Sequence, residues 1–129
     1  MIILDTHIWI WWVDDNQRLT QQHRKWIQDN QKQGLGISII SCWEVAKLVE
    51  VGKLTLSISV EEWLAGALTY PGVQLLDLTI PIVVESTKLI GFHRDPSDQI
   101  IVATARIYRC PLLTADAKIL NYPDVQTLK

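Results

Sequence analysis

Several acidic residues of this chain lie shortly after an apolar stretch or at the start of one. They are Asp5, Glu44, Asp95, Asp98 and Asp116. If these acids share one crevice, they repel one another, raise each other's pKa values and destabilise the fold unless a cation binds among them. Ligation by oxygen alone selects a hard ion such as Mg²⁺ or Mn²⁺, which keeps waters and accepts a phosphate oxygen. The residue types therefore indicate metal-assisted phosphodiester chemistry.

These acids can meet only if the strands before them end at one edge of a sheet. The spacing of apolar residues and the positions of turn residues predict strands that alternate with helices along the chain. The predicted strands are 2–4, 35–40, 73–78 and 111–116, with a short extended piece at 53–56 and a weaker fifth strand at 125–128. This alternation predicts parallel pairing with right-handed crossovers, hence an α/β fold, a three-layer α/β/α sandwich with a mostly parallel central sheet. Sites on such sheets form beyond the carboxyl ends of the strands.

The predicted helices begin at capping residues. They are a short helix at 6–13, a polar helix capped by Thr20 and stopped by Gly34, one from Ser41 to Gly52, one opened by Ser59 with Glu62, one started by Thr79 and Pro81, and an apolar helix at 100–108. Residues 91–98 are predicted to be a loop. With these elements, Asp5 ends the first strand, Glu44 lies in the first turn after the second strand, and Asp98 lies at the start of the apolar helix.

The bulk composition fits a single domain over residues 1–129. A chain of this length buries roughly two-thirds of its unfolded surface, and Cys42 and Cys110 lie far apart without further ligands at zinc spacing. The net charge of −2 gives no overall attraction to nucleic acid, so phosphate contacts require local clusters or a bound cation. The start lacks a basic leader and its apolar run is far shorter than the ~20 residues of a membrane span. We expect a cytoplasmic protein without a membrane partner.

Each acid also has a purely structural interpretation. Asp5 and Asp116 can cap helices, and Ser41 with Glu44 matches the S-x-x-E capping box. Asp98 suits the first turn of a helix, and Asp95 before a proline is ordinary turn chemistry. A non-catalytic α/β protein-interaction module, whose acids only cap helices, is therefore the alternative function. A phosphatase with an aspartyl nucleophile is disfavoured, because residue 7 is a histidine instead of the second aspartate of D-x-D.

Other residues near the acids are weaker candidates. Arg94 follows His93 in the loop beside the acids and can hold a phosphate, although an exposed loop charge is the alternative. We expect His7 to be packed and hydrogen-bonded, and Lys47 to contact Glu44 one helical turn away. Three tryptophans near the start can stack bases, but most are expected in the core or an interface: Trp9, Trp11 and Trp12.

Four stretches of the sequence resemble those of PIN-domain ribonucleases of the VapC toxin type. They are LDTHIWIWW at the start, ISIISCWEVAKL in the middle, HRDPSDQIIVATA near residue 100 and LLTAD before the end, in the family's order and over nearly the whole chain. The resemblance implies the PIN-like sandwich and a metal-dependent endoribonuclease, the toxin of a type II toxin–antitoxin system. It also implies an RNA substrate, a homodimer, and a small VapB-like antitoxin that lays an extended or helical segment over the acidic crevice.

The same resemblance assigns roles to single residues. In that family four acids bind Mg²⁺ or Mn²⁺ and serve catalysis, and by motif match they are Asp5, Glu44, Asp98 and Asp116. Thr6 and Thr114 match supporting hydroxyls that orient carboxylates or water. Asp95 of the HRDP motif is a second choice as a ligand. Ser97 and Gln99 depart from the pattern, since many relatives carry an aromatic residue and an arginine there.

Overall fold

The computed structural model describes all 129 residues and contains one four-stranded sheet. Its strands are β1 (Ile2–Leu4), β2 (Leu35–Ser38), β3 (Val73–Leu76) and β4 (Leu112–Leu113), in the order β3-β2-β1-β4. Every pairing is parallel, with Ile3 opposite both Gly36 and Leu112. Parallel pairing brings the carboxyl ends of all four strands to the same edge.

Seven helices accompany the sheet. They are α1 (Thr6–Val13), α2 (Gln21–Asn30), α3 (Ile39–Glu50), α4 (Val60–Ala67), α5 (Ile80–Ser86), α6 (Pro96–Tyr108) and α7 (Ala117–Leu120). Side chains of β1 alternate between two buried clusters: Ile2 and Leu4 pack with residues of α1 to α4, and Ile3 packs with residues of α6 and α7. Helices therefore cover both faces of the sheet, and the predicted three-layer α/β/α sandwich is confirmed.

Three predicted helix caps are confirmed. Thr20 accepts a hydrogen bond from the backbone N–H of His23 at 3.0 Å, and Ser59 accepts one from Glu62 at 3.1 Å. Thr79 caps α5 in the same way. Each hydroxyl satisfies a backbone donor that the first turn of a helix leaves without a partner.

The predicted boundary between β2 and α3 is wrong. The strand ends at Ser38 and not at residue 40, and Ser38 caps α3 by accepting from the N–H of Ile40 at 3.2 Å. Because α3 begins at Ile39, Ser41 lies buried inside the helix and is no N-cap. The S-x-x-E capping box predicted for Ser41 and Glu44 does not exist.

Other strands are shorter than predicted, and α6 is longer. Residues 53–56 form no strand, β3 stops at Leu76, and β4 contains only two residues. The predicted fifth strand contributes a single bridge, between Thr127 and Leu112. Helix α6 begins at Pro96 instead of residue 100, because Asp95 caps it and proline suits the first helical position. No helix combines the length and the apolar composition that a bilayer crossing requires.

Candidate active site

A cavity of about 330 Å³ opens at the carboxyl edge of the sheet, and we call it the acidic cavity. Five carboxylates line it: Asp5, Glu44, Asp95, Asp98 and Asp116. They come from the end of β1, from α3 after β2, from the start of α6 and from the loop after β4. The parallel topology thus brings together all five acids that were singled out in the sequence.

Asp5 is buried at the end of β1, with 6% of its surface exposed. Its Oδ1 accepts from the backbone N–H of Thr6 at 2.9 Å, and its Oδ2 accepts from the hydroxyl of Thr114 at 2.7 Å. Burial raises the pKa of Asp5, and these hydrogen bonds oppose the rise. Thr114 Oγ1 also accepts from the N–H of Asp116 at 3.0 Å, so one hydroxyl joins the ends of β1 and β4.

Glu44 is held by a buried chain of hydroxyl groups. Thr6 Oγ1 donates to Glu44 Oε1 at 2.5 Å and lies 2.8 Å from Ser41 Oγ. Since the single proton of Thr6 goes to Glu44, Ser41 is the donor in the second bond. Burial raises the pKa of Glu44 to about 7; the Thr6 hydrogen bond opposes this, and the charges of Asp5 and Asp95 add to it.

Asp98 lies in the first turn of α6 and is the most perturbed acid for which a pKa value is resolved. Burial raises its pKa to about 8, and the charges of Asp5, Asp95, Asp116 and Glu44 each add to the rise. His93 Nε2 lies 3.0 Å from Asp98 Oδ2 but is not oriented to make a hydrogen bond. Without a cation, the pKa of Asp98 therefore lies above neutrality.

The carboxylates line the cavity without converging on one point. No group of three or more acidic, histidine or cysteine side chains is close enough to hold a metal ion in this arrangement. Asp95 Oδ1 accepts from backbone N–H groups of α6, and Asp116 Oδ1 accepts from Lys118 N at 2.8 Å. Mutual repulsion keeps like charges apart. The all-oxygen donor set suits a hard divalent ion, and coordination requires some of these side chains to rotate toward the cavity centre.

Helix capping explains only part of this cluster. Asp5, Asp95 and Asp116 each cap the helix that follows them, as the structural interpretation predicted. Glu44 is the sixth residue of α3, beyond its first turn, and Asp98 accepts no capping bond. These two acids are the ones whose pKa rises to about 7 and about 8. Asp98 lies in the first turn of α6, as its structural interpretation predicted, so Glu44 is the acid whose position helix stability does not explain.

The weaker candidates do not all lie where they were expected. His7 is exposed and lines the acidic cavity beside Trp11, so the expectation that it is packed is wrong. Lys47 pairs with Glu50 at 2.5 Å and not with Glu44. Arg94 is exposed in the loop before α6 and does not line the cavity.

The six tryptophans differ in burial: Trp9 and Trp63 lie in the core, Trp11, Trp12 and Trp26 are partly buried against it, and Trp43 is exposed. Trp9 is fully buried and meets Trp63 edge-on at 5.2 Å, and Trp12 meets Tyr70 in the same way. Trp43, by contrast, is 55% exposed. It was not among the sequence candidates, although the helical period could have found it: with residues 41 and 45 of α3 buried, residue 43 faces outward.

Comparison with known proteins agrees with this architecture. Ribonuclease VapC22 of Mycobacterium tuberculosis is 29% identical over 122 residues, which are 94% of this chain and 91% of that protein. A chain from VapBC2 of Rickettsia felis, solved bound to a DNA fragment from its promoter, has a TM-score of 0.73 at 18% identity and covers 99% of this chain and 98% of its own.

A chain from a toxin–antitoxin complex of Klebsiella pneumoniae has a TM-score of 0.68 at 20% identity, covering 98% of this chain and 97% of its own. At these identities the structural likeness concerns the fold. Residues 2–125 also match the PIN domain family as a whole. With nearly its full length matched, this chain belongs to the PIN domain family.

Proposed function

We propose that this chain is a metal-dependent endoribonuclease that hydrolyses RNA phosphodiester bonds and is the toxin of a toxin–antitoxin pair. The observation that carries the proposal is the acidic cavity, which is lined by five carboxylates from four parts of the chain, two of them with pKa values near and above neutrality. Acids that are costly to ionise together are well placed to share a cation. Similarity to ribonuclease VapC22 supports RNA as the substrate.

Four acids are the proposed ligands of Mg²⁺ or Mn²⁺: Asp5, Glu44, Asp98 and Asp116. Asp95 is the second choice, because the motif match with the family assigns the ligand role at the start of α6 to Asp98. When bound, such an ion polarises a phosphoryl oxygen and makes water a better nucleophile near neutral pH. The choice of a hard ion follows from the donor set, which contains only carboxylate oxygens.

The surrounding residues orient these acids. Thr114 fixes Asp5 at Oδ2, and Thr6 fixes Glu44 at Oε1, which leaves Glu44 Oε2 free to face the cavity. Fixed carboxylates reduce the reorganisation that binding a cation and a phosphate requires. Arg94, which is exposed in the loop before α6, is proposed to contact a phosphate of the bound RNA.

We also propose two protein partners. A VapB-like antitoxin that covers the acidic cavity is supported by the likeness to a toxin–antitoxin complex. A homodimer is supported by apolar side chains left exposed on α5, which are Ile80, Val83 and Val84. Contiguous apolar surface of this kind is typical of protein interfaces.

The alternative function, an interaction module whose acids only cap helices, is favoured by the caps that Asp5, Asp95 and Asp116 form. It accounts for Asp98 only as a first-turn acid of α6, and it does not account for Glu44, which lies beyond the first turn of α3 and caps nothing. If the chain is an interaction module, neither the wild type nor a variant with a neutral residue in place of Glu44 or Asp98 binds metal. The two variants then keep every activity of the wild type.

The test is cleavage of total cellular RNA by the purified chain, freed of any partner, in Mg²⁺ or Mn²⁺. We expect cuts at discrete positions that EDTA abolishes and that Asp98→Asn or Glu44→Gln slows by at least about 100-fold. Asp77→Asn is the matched control, because Asp77 follows β3 but is exposed and outside the acidic cavity. RNA that stays intact with either metal contradicts the proposal, and so does equal cleavage by Asp98→Asn and Asp77→Asn.

A further inference from the structure

A second cavity, of about 320 Å³, adjoins the acidic cavity. The two cavities share Glu44 and Asp95, and the second lies between α3 and the start of α6. We propose that it is a nucleotide subsite, in which a base of single-stranded RNA stacks on Trp43 while Lys47 contacts a backbone phosphate. We call it the Trp43 subsite; it rests on the proposed ribonuclease function and adds to it a site that holds the nucleotide beside the bond to be cut.

The exposure of Trp43 is the first argument. Its side chain is 55% exposed, whereas Trp9 and Trp63 are buried. Leaving a large apolar ring in water forgoes on the order of 1–3 kcal/mol of burial free energy. An indole face stacks with any nucleobase, and such a contact contributes about 1–3 kcal/mol per base. A ring left open next to Glu44 is thus suited to hold a base near the acids.

The walls of the cavity suit a planar, partly polar ring. Leu48 and Pro96 line the same cavity as the indole and supply apolar surface, and Ser97 supplies a hydroxyl. Because a hydroxyl can donate and accept hydrogen bonds, it can pair with polar atoms at the edge of a base. The volume lies at the lower end of the ~300–1,000 Å³ of small-ligand sites. A stable protein interface, by contrast, needs a surface of roughly 800 Å² per partner.

Lys47 supplies the positive charge that the acidic cavity lacks. It lies one helical turn after Trp43 on α3, and its side chain is 49% exposed. Its partner Glu50 is 66% exposed. A surface ion pair of this kind contributes at most about 1 kcal/mol, so a phosphate can compete for the ammonium group. Lys47 can therefore hold the phosphate of a nucleotide whose base lies on Trp43.

The first test measures RNA affinity without cleavage. In an Asp98→Asn background with Mg²⁺, the Kd of fluorescein-labelled oligoadenylate is measured by anisotropy after adding Trp43→Ala, Trp43→Phe or Tyr108→Ala. We expect Trp43→Ala to raise the Kd about 5- to 150-fold and Trp43→Phe to retain most of the affinity. Tyr108 is 40% exposed at the opposite end of α6 and serves as the control aromatic ring. A Kd for Trp43→Ala equal to that of the Tyr108 control overturns the proposal.

The second test addresses the phosphate contact. Loss of one contact to single-stranded RNA lowers the slope of log Kd against log salt by about 0.7. We expect this change for Lys47→Gln and none for Lys53→Gln, an exposed lysine outside the cavity. Equal slopes for the two variants overturn the role of Lys47.

Binding and cleavage separate this proposal from the one it rests on. Wild-type protein that binds oligoadenylate through Trp43 but cuts no RNA overturns the ribonuclease and retains the subsite. Wild-type protein that cuts RNA, with the kcat/KM of Trp43→Ala unchanged, overturns the subsite and retains the ribonuclease. A Trp43→Ala variant that keeps its RNA affinity but no longer copurifies with a small partner chain assigns the cavity to that partner, which also overturns the proposal.

Discussion

At the scale of single residues, the most specific prediction concerns the effect of the Thr6 hydroxyl on stability and on the pKa of Glu44. It is fully buried, donates to Glu44 Oε1 and accepts from Ser41 Oγ. Thr6→Val keeps the shape and removes both bonds, leaving Ser41 without its acceptor. We expect the free energy of unfolding to fall by about 1–3 kcal/mol. The pKa of Glu44 should rise above its value of about 7, because this bond lowers it. Urea unfolding and a carboxyl NMR titration measure the two effects.

The matched control for this substitution is Thr104→Val. Thr104 is equally buried, but its hydroxyl donates to the carbonyl of Ile100 within α6. That carbonyl already accepts a helical bond, so we expect a smaller loss of stability and an unchanged pKa for Glu44. Equal pKa changes in both variants would show that Thr6 does not act through the Glu44 carboxylate.

The raised pKa of Asp98 predicts how stability depends on pH without metal. In the unfolded chain an aspartate ionises near about 4, whereas burial raises the pKa of Asp98 to about 8 in the folded protein. Between these values the folded state holds a proton that the unfolded chain has released, so stability is lost as pH rises from about 4 to about 8. Asp98→Asn removes this contribution. We expect the variant in EDTA to be more stable than wild type at pH 8, by on the order of 1–2 kcal/mol, and similar at pH 4.

Chemical unfolding across this pH range measures the difference, with Asp77→Asn as the exposed control. If the free energies of unfolding of wild type and Asp98→Asn change in parallel from pH 4 to pH 8, this would contradict the raised pKa of Asp98 in the folded protein.

The residue types and their places after strands predicted which acids meet, because parallel strands deliver their ends to one edge. They could not predict how each acid is held. The spacing of Ser41 and Glu44 fits a capping box, yet Ser38 caps α3 and Ser41 donates to Thr6, far away in sequence. Only the packing of α1 against α3 distinguishes these two roles.

At the scale of elements, the start of α6 depends on Asp95. Its Oδ1 accepts from the N–H groups of Ser97 and Asp98 at 3.0 and 3.4 Å. Asparagine caps as well as aspartate, whereas alanine does not. We expect Asp95→Ala to lower the free energy of unfolding by about 1 kcal/mol and Asp95→Asn to leave it nearly unchanged. Thermal unfolding in EDTA checks this, and equal losses in both variants would mean that the charge of Asp95, not its cap, stabilises α6.

Two glycines give opposite predictions for the same substitution. Gly72, before β3, has a φ of +88°, and an added Cβ would lie 2.3 Å from the carbonyl oxygen of Gln31. Gly66 lies in α4 with nothing within 4 Å of such a Cβ. We expect Gly72→Ala to destabilise the protein by about 2 kcal/mol or more. Gly66→Ala should stabilise it by about 0.5–1 kcal/mol, because alanine favours the helix.

Denaturant midpoints of the two glycine variants test the described path of the chain between α2, α4 and β3. A stabilising Gly72→Ala would contradict the close approach of Gly72 to Gln31.

Element boundaries were the least predictable feature of the fold. The run of apolar residues at 35–40 is typical of a buried strand. In the structure, however, β2 ends at Ser38, which pairs with Leu76, the last residue of the neighbouring strand β3. Similarly, β4 is two residues long because only Leu112 and Leu113 pair with β1. The length of a strand depends on its partners, which a local pattern does not contain.

At the scale of the whole molecule, a net charge of −2 conceals an uneven distribution. Five carboxylates lie at the carboxyl edge of the sheet, so a bound cation would lower the electrostatic repulsion between this edge and the phosphates of the proposed RNA substrate. The same edge carries the exposed ring of Trp43 beside Glu44. The α/β architecture thus accounts for the raised pKa values and for the places of the proposed metal centre and the proposed nucleotide subsite.

Calorimetric titration of the purified, partner-free chain with Mn²⁺ tests the central claim most directly. We predict saturable binding to wild type and to Asp77→Asn, and an affinity at least about 10-fold weaker for Asp98→Asn, which removes a proposed ligand but no helix cap. Absence of Mn²⁺ binding, or equal affinity in Asp98→Asn and Asp77→Asn, would contradict the claim that the acidic cavity is a metal centre.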